Sequence, residues 1–181
     1  MKLFKWLIIN PILLLLTSCT FPTKEESTIS FLKSGQKLAI YDDLKSSAER
    51  RASPSGREIL TTGRQMIEDQ LVLPGGCWDY INEVYNRAGY PNKAKKRQTV
   101  FKGSKQKGPY AEVSLIQPGD FLEYINHSYN DIEHSAIFVD WINFPNKEAL
   151  MLSYGGERRR EPARYLPYDL SHVYRIVRPT N

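Results

Sequence analysis

Cys77 is the residue with the most chemistry to offer. It follows Gly75-Gly76 and opens a segment, Cys77-Trp78-Asp79-Tyr80-Ile81, whose apolar positions recur at helical spacing. The partial positive charge at a helix N-terminus favours a thiolate, and bare glycines let another chain come close to the sulfur. An unperturbed thiol, with a pKa of about 8.5, is largely inert near neutrality. A nucleophilic cysteine therefore needs a base, usually an imidazole, and a group that orients it. The chain offers His127, His134 and His172. His134 stands directly before an apolar, β-branched run, and a strand end is a rigid place to hold an imidazole against sulfur. His127 lies in the polar loop 126–130, and His172 precedes the last apolar run as a structural residue. The competing reading of Cys77 is a small buried hydrophobe.

These residues need elements to hold them. A chain of 181 residues, 41% hydrophobic and 25% charged, suits one folded domain with appendages. After the break Ser53-Pro54-Ser55-Gly56, a capping box of Ser55 and Glu58 predicts a helix carrying Ile59, Leu60, Met66, Ile67 and Leu71. Gly63 weakens its middle, and Pro74-Gly75-Gly76 ends it. A second helix starts at Cys77, with Ile81, Val84, Tyr85 and Ala88 on one face and Gly89 as its C-terminal cap. Residues 91–111 read as a long loop with seven Lys and Arg. That loop is either a solvated surface or an electrostatic contact with an anionic wall polymer or lipid head groups. The C-terminal third changes period. Strands are expected at Phe121–Ile125, Ser135–Ile142, Ala149–Tyr154 and Val173–Val177, with a turn at Asn143–Asn146 joining the middle pair as a hairpin. Helices followed by an antiparallel meander make an α+β layout.

The N-terminus reads as an address. Lys2 and Lys5 precede an apolar run from Trp6 to Leu16, too short to span a bilayer, so residues 1–18 are expected to be a signal peptide. Leu16-Thr17-Ser18-Cys19 resembles a bacterial lipobox, which implies that Cys19 is lipidated and begins the mature chain. Acyl chains contribute about 0.8 kcal/mol per buried methylene and anchor a soluble domain to the membrane. Residues 19–50 then form the lipidated cysteine and a polar tether, and 51–181 the domain. Thr20, with no Asp at that position, favours the outer membrane in the cell envelope, with the domain outside the cytoplasm. The exported body keeps a single thiol, Cys77. Losing Lys2 and Lys5 takes two of 25 basic residues and none of the 20 acidic ones, so the body is mildly basic and no nucleic-acid partner is expected. Two cysteines and three histidines suggest neither a disulfide scaffold nor a metal site.

Three segments, in order, resemble the NlpC-type papain-like peptidases and the related CHAP amidases. They are Gly76-Cys77-Trp78-Asp79-Tyr80, Pro118-Gly119-Asp120-Phe121-Leu122 and His134-Ser135-Ala136-Ile137-Phe138-Val139. The resemblance covers about residues 70–157. It implies a papain-like fold, with the nucleophile helix packed on a small antiparallel sheet that carries the base. It also implies hydrolysis of amide bonds, commonly in cell-wall peptides, with Cys77 as nucleophile, His134 as base and no cofactor. In the family the orienting residue lies on the next strand. Here that strand ends in Leu152-Ser153-Tyr154-Gly155-Gly156-Glu157, without His, Asn or Gln, so Glu157 or the weaker Ser153 is the candidate. Trp78, Tyr129 and Arg158 are candidate substrate contacts. Arg158-Arg159-Arg160 and Arg164 follow that strand, and arginine forks suit a substrate carboxylate, while packing for the aromatics and solvation for the arginines are the plainer roles.

The expected function is a lipid-anchored cysteine amidohydrolase acting on peptidoglycan peptides. The alternatives are a non-catalytic envelope lipoprotein that uses the same fold as a binding module, and a papain-like enzyme with another acyl substrate.

Overall fold

The computed structural model describes the backbone of residues 24–180 and the side chains of 35–180 apart from residue 94. The expected signal peptide and Cys19 lie outside the described residues. The chain divides into Met1–Gly35 and Gln36–Asn181, and the second unit carries the sheet and the candidate site. Helix α1, Lys24–Arg51, enters this second unit at Gln36. There Tyr41 and Leu44 pack against the core and Ala48 is fully buried. The folded body therefore starts before residue 51, and the expected tether through residue 50 is too long. Its helical spacing of Tyr41, Leu44 and Ala48 is diluted in the sequence by charged neighbours.

Helix α2, Pro54–Glu68, is capped by Ser53, whose Oγ accepts the Gly56 N–H at 3.0 Å. The expected cap was Ser55. Pro54 takes the first helical position, where its missing N–H costs nothing and its fixed φ suits the turn, so the cap falls two residues earlier. Gly63 is there for close packing: a Cβ would stand 2.5 Å from Leu152 Cδ1 and 3.5 Å from Val84 Cγ1. Helix α3, Cys77–Arg87, starts where expected and buries Tyr80, Ile81, Val84 and Tyr85. Gly89 follows it at φ +89°. Among the described residues no helix is long and apolar enough to cross a membrane.

The sheet has six antiparallel strands: β1 Arg97–Lys102, β2 Phe121–Asn126, β3 Ile132–Asn143, β4 Glu148–Ser153, β5 Arg164–Asp169 and β6 Val173–Pro179. Their order is β1-β6-β2-β3-β4-β5. The α+β layout holds, with three corrections. Residues 91–111 are not all loop, because β1 lies within them. Arg164 begins a strand, β5. Only β2 to β5 form a meander; β6 returns to pair with β2 and carries β1 on its outer side.

Alternation sends the two faces of the sheet into two cores. Phe121, Ile137, Val139, Leu150 and Leu152 meet Ile59, Leu60, Met66, Tyr80, Ile81 and Val84 of the helices. Leu122, Tyr124, Ala136, Phe138, Met151 and Ile176 fill the opposite side, closed by Ala111, Ile116 and Leu170. The helix layer thus fixes α3 against β3, which brings the start of α3 to the region of His134.

Candidate active site

The connection before α3 is clamped to the end of β4. The Tyr154 hydroxyl donates to the Leu73 carbonyl at 2.7 Å and accepts the Leu73 N–H at 3.2 Å. Tyr154 is fully buried and stacks on Tyr80 of α3, with ring centroids 4.5 Å apart. One turn beyond, the Glu157 N–H donates to the Gly75 carbonyl at 3.0 Å. Gly75 and Gly156 both adopt positive φ, at +95° and +90°. A side chain on Gly75 would run into the Asp79 carboxylate, which accepts the Gly76 N–H at 2.7 Å. Two glycine-bearing loops therefore cross at the head of α3, and Cys77, half-buried, opens that helix.

His134 lies inside β3, opposite Tyr124 of β2, rather than just ahead of the strand. Its Nε2 is 2.8 Å from Ser153 Oγ at the end of β4, and that hydroxyl is 2.9 Å from the Tyr168 hydroxyl of β5. The ring is boxed by Tyr124 edge-on at 5.6 Å and Tyr168 at 5.3 Å. With Nε2 held by Ser153, Nδ1 is the nitrogen left to take a proton. Burial, and secondarily the positive charge of Arg159, lower the His134 pKa from 6.5 to about 4. The imidazole is therefore neutral near pH 7. Cys77, His134 and Ser153 line one cavity of about 550 Å³, together with Tyr129, Arg158, Arg159 and Tyr168.

Of the residues singled out in the sequence, Cys77, His134, Ser153, Tyr129 and Arg158 meet at this cavity. The others do not. The Glu157 side chain is exposed and makes no hydrogen bond to His134; its backbone N–H is held by the Gly75 carbonyl. Trp78 is 42% exposed and leans on Phe121, away from the cavity wall. His127 and His172 are joined at 2.7 Å in a separate surface cluster with Asp131. Among the described residues no group of three or more His, Cys, Asp or Glu could hold a metal ion.

Sequence reasoning missed Tyr124, Tyr154 and Tyr168, and it named Arg159 only as one of the arginines that follow β4. The Tyr124 hydroxyl is buried without a hydrogen-bond partner. Burial first, then the neighbouring Tyr168 and Cys77, push its pKa well above 10, which keeps it a neutral phenol. Nothing in the type or spacing of these tyrosines marks them in a chain with 11 of them. The Pro118-Gly119-Asp120 segment is structural: Asp120 is buried and receives Arg178 through Nε and Nη2, both at 2.7 Å.

No family model, no curated protein and no solved structure matches this chain. The functional reading rests on the geometry above and on the motif resemblance.

Proposed function

We propose that this chain is a papain-like cysteine amidohydrolase, anchored to the cell envelope by lipid on Cys19, that cleaves amide bonds in peptidoglycan peptides. The observation that carries the reading is the His134–Ser153 hydrogen bond at 2.8 Å on the wall of the cavity that also exposes Cys77. A nucleophile, a base with one nitrogen already oriented, and a hydroxyl that orients it are the parts of a catalytic triad.

The neutral His134 sets the mechanism. Nδ1 takes the thiol proton as the Cys77 sulfur attacks the amide carbonyl, forming the S–C bond. The resulting imidazolium returns that proton to the amine as the C–N bond breaks. Water then attacks the thioester, gives a proton to Nδ1, and the departing sulfur recovers it. The Cys77 N–H, in the first helical turn and without an intrahelical acceptor, is the donor for the oxyanion.

The test is turnover of peptidoglycan peptides by the full-length protein, followed as released amine. Cys77→Ala and His134→Ala each abolish it. The acid limb of kcat/KM lies near pH 4, the pH at which His134 takes up a proton. A limb at pH 6 to 7 would mean that the base is a solvated imidazole, either a hydrated His134 or another histidine.

A binding module on the same fold is the second reading. It is favoured by the hydroxyl of Ser153, which orients an imidazolium more weakly than a carboxylate does. Wall binding that survives Cys77→Ala, with no turnover by the unsubstituted protein, would establish it instead.

A further inference from the structure

Arg159 gives the cavity a charge that catalysis alone does not require. A Cβ on Gly155 would stand 2.5 Å from Arg159 Cδ and 2.9 Å from Nε, so the arginine lies over bare backbone just past Tyr154. Its guanidinium carbon is 6.0 Å from the centre of the Tyr129 ring, a cation–π distance. Arg158, Arg159 and Arg164 all line the cavity that holds Cys77 and His134. Arg164 is ion-paired with Glu161 at 3.1 Å. The carboxylate on the cavity wall, Glu133, is already engaged by Lys105 at 2.8 Å and Tyr174 at 2.9 Å. Among the described residues neither Arg158 nor Arg159 has a carboxylate partner. A guanidinium positioned by a glycine and an aromatic ring, lining the same cavity as the candidate nucleophile and without a carboxylate partner, is a receptor for a planar anion.

We propose that the cavity selects acyl substrates that carry a carboxylate close to the scissile bond, and that Arg159 is the residue that binds it. The proposal rests on the cysteine-hydrolase reading and narrows its substrate class to anionic peptides. It also gives the unpaired charge a use. The Arg159 field weakens His134 as a base, and a carboxylate seated on the guanidinium cancels that field. The base then strengthens when a fitting substrate is bound.

The experiment compares iodoacetate with iodoacetamide as alkylating agents of Cys77 in the full-length protein, read by mass spectrometry at the Cys77 peptide. Both form the same S–CH₂ bond and release iodide, and they differ in carrying a carboxylate or a neutral amide. Rates are normalised to a cysteine in a neutral unstructured peptide. Unit charges about 6 Å apart correspond to roughly a threefold preference for iodoacetate at a water-like dielectric and roughly a hundredfold at the lower dielectric near a protein surface, weakening as salt is added. Arg159→Gln takes the preference to about one, and Arg159→Lys keeps part of it. A preference at or below that of the reference peptide, or one that Arg159→Gln leaves unchanged, overturns the proposal. If Cys77 reacts with neither reagent, the hydrolase reading falls, and the anion site is read separately by NMR titration with N-acetylglutamate. Saturable shifts at His134 and Tyr129 that vanish in Arg159→Gln sustain it; no shifts overturn it.

Discussion

The imidazole of His134 is defined by what touches its two nitrogens and its faces. Ser153 fixes Nε2, two tyrosine rings flank the imidazole, and the charge that lowers its pKa is the cation of Arg159. The orienting hydroxyl is therefore the weakest link in the site. Ser153→Ala frees the ring to rotate and lowers kcat by about ten- to a hundredfold, on the scale of a positioning hydrogen bond at a catalytic group. Glu157→Gln changes kcat by less than about twofold, because its exposed carboxylate holds nothing in the cavity. Steady-state kinetics of the two variants decides which residue orients the base, and a loss on Glu157→Gln equal to that on Ser153→Ala would reverse the assignment. Cys77 and His134 were legible in the sequence because their residue types are scarce and chemically narrow. Arg159 was legible only as one of Arg158-Arg159-Arg160 and Arg164, since it is singled out by the bare backbone of Gly155 beneath it.

Elements bring these residues together through close backbone approaches, and glycines mark where. Gly119 has φ +93°, and a Cβ there would stand 2.6 Å from Gly56 Cα and 2.7 Å from the Gly56 carbonyl oxygen. The start of α2 and the approach to β2 thus touch backbone to backbone, and Tyr85 of α3 donates to the Gly119 carbonyl at 2.6 Å. Gly119→Ala combines a strained φ with a clash against main chain that cannot step aside. It is expected to cost about 2–4 kcal/mol in urea denaturation, and a cost under about 0.5 kcal/mol would show that the contact is slack. The same elements show where the sequence was readable. The inner strands β2, β3, β4 and β6 carry β-branched or aliphatic runs buried on both faces and were found within a few residues. The edge strands were missed. In β1 only Val100 and Phe101 pack against a core, amid basic and polar neighbours. In β5, Pro167 interrupts the pattern, and proline is tolerated in a strand at an edge because its absent N–H can face away from the ladder. The insertion of β6 between β1 and β2 depends on tertiary pairing that no local pattern encodes.

At the scale of the whole molecule, a buried base makes the folded state sensitive to acid. In the unfolded chain His134 takes a proton near pH 6.5, whereas in the folded protein it does so only near pH 4. Between those values the unfolded state binds more protons, so stability falls as the pH drops from 6.5 towards 4. Below pH 4 both states are protonated and this contribution falls no further. A shift of this size corresponds to at most about 3 kcal/mol, a large share of the 5–15 kcal/mol that holds a typical domain together. Other groups also contribute to the acid sensitivity of a folded protein, so the effect of His134 is isolated by difference. Urea denaturation at pH 7 and pH 4.5 is expected to show a larger loss for the unsubstituted protein than for His134→Gln, which has no proton to gain at that position. Equal losses would mean that His134 is solvated enough to protonate in place. Such hydration would raise its basicity, dispense with the need for a substrate carboxylate to relieve Arg159, and move the acid limb of turnover towards pH 6.5. The stability profile and the rate profile therefore report on one imidazole, and they must agree.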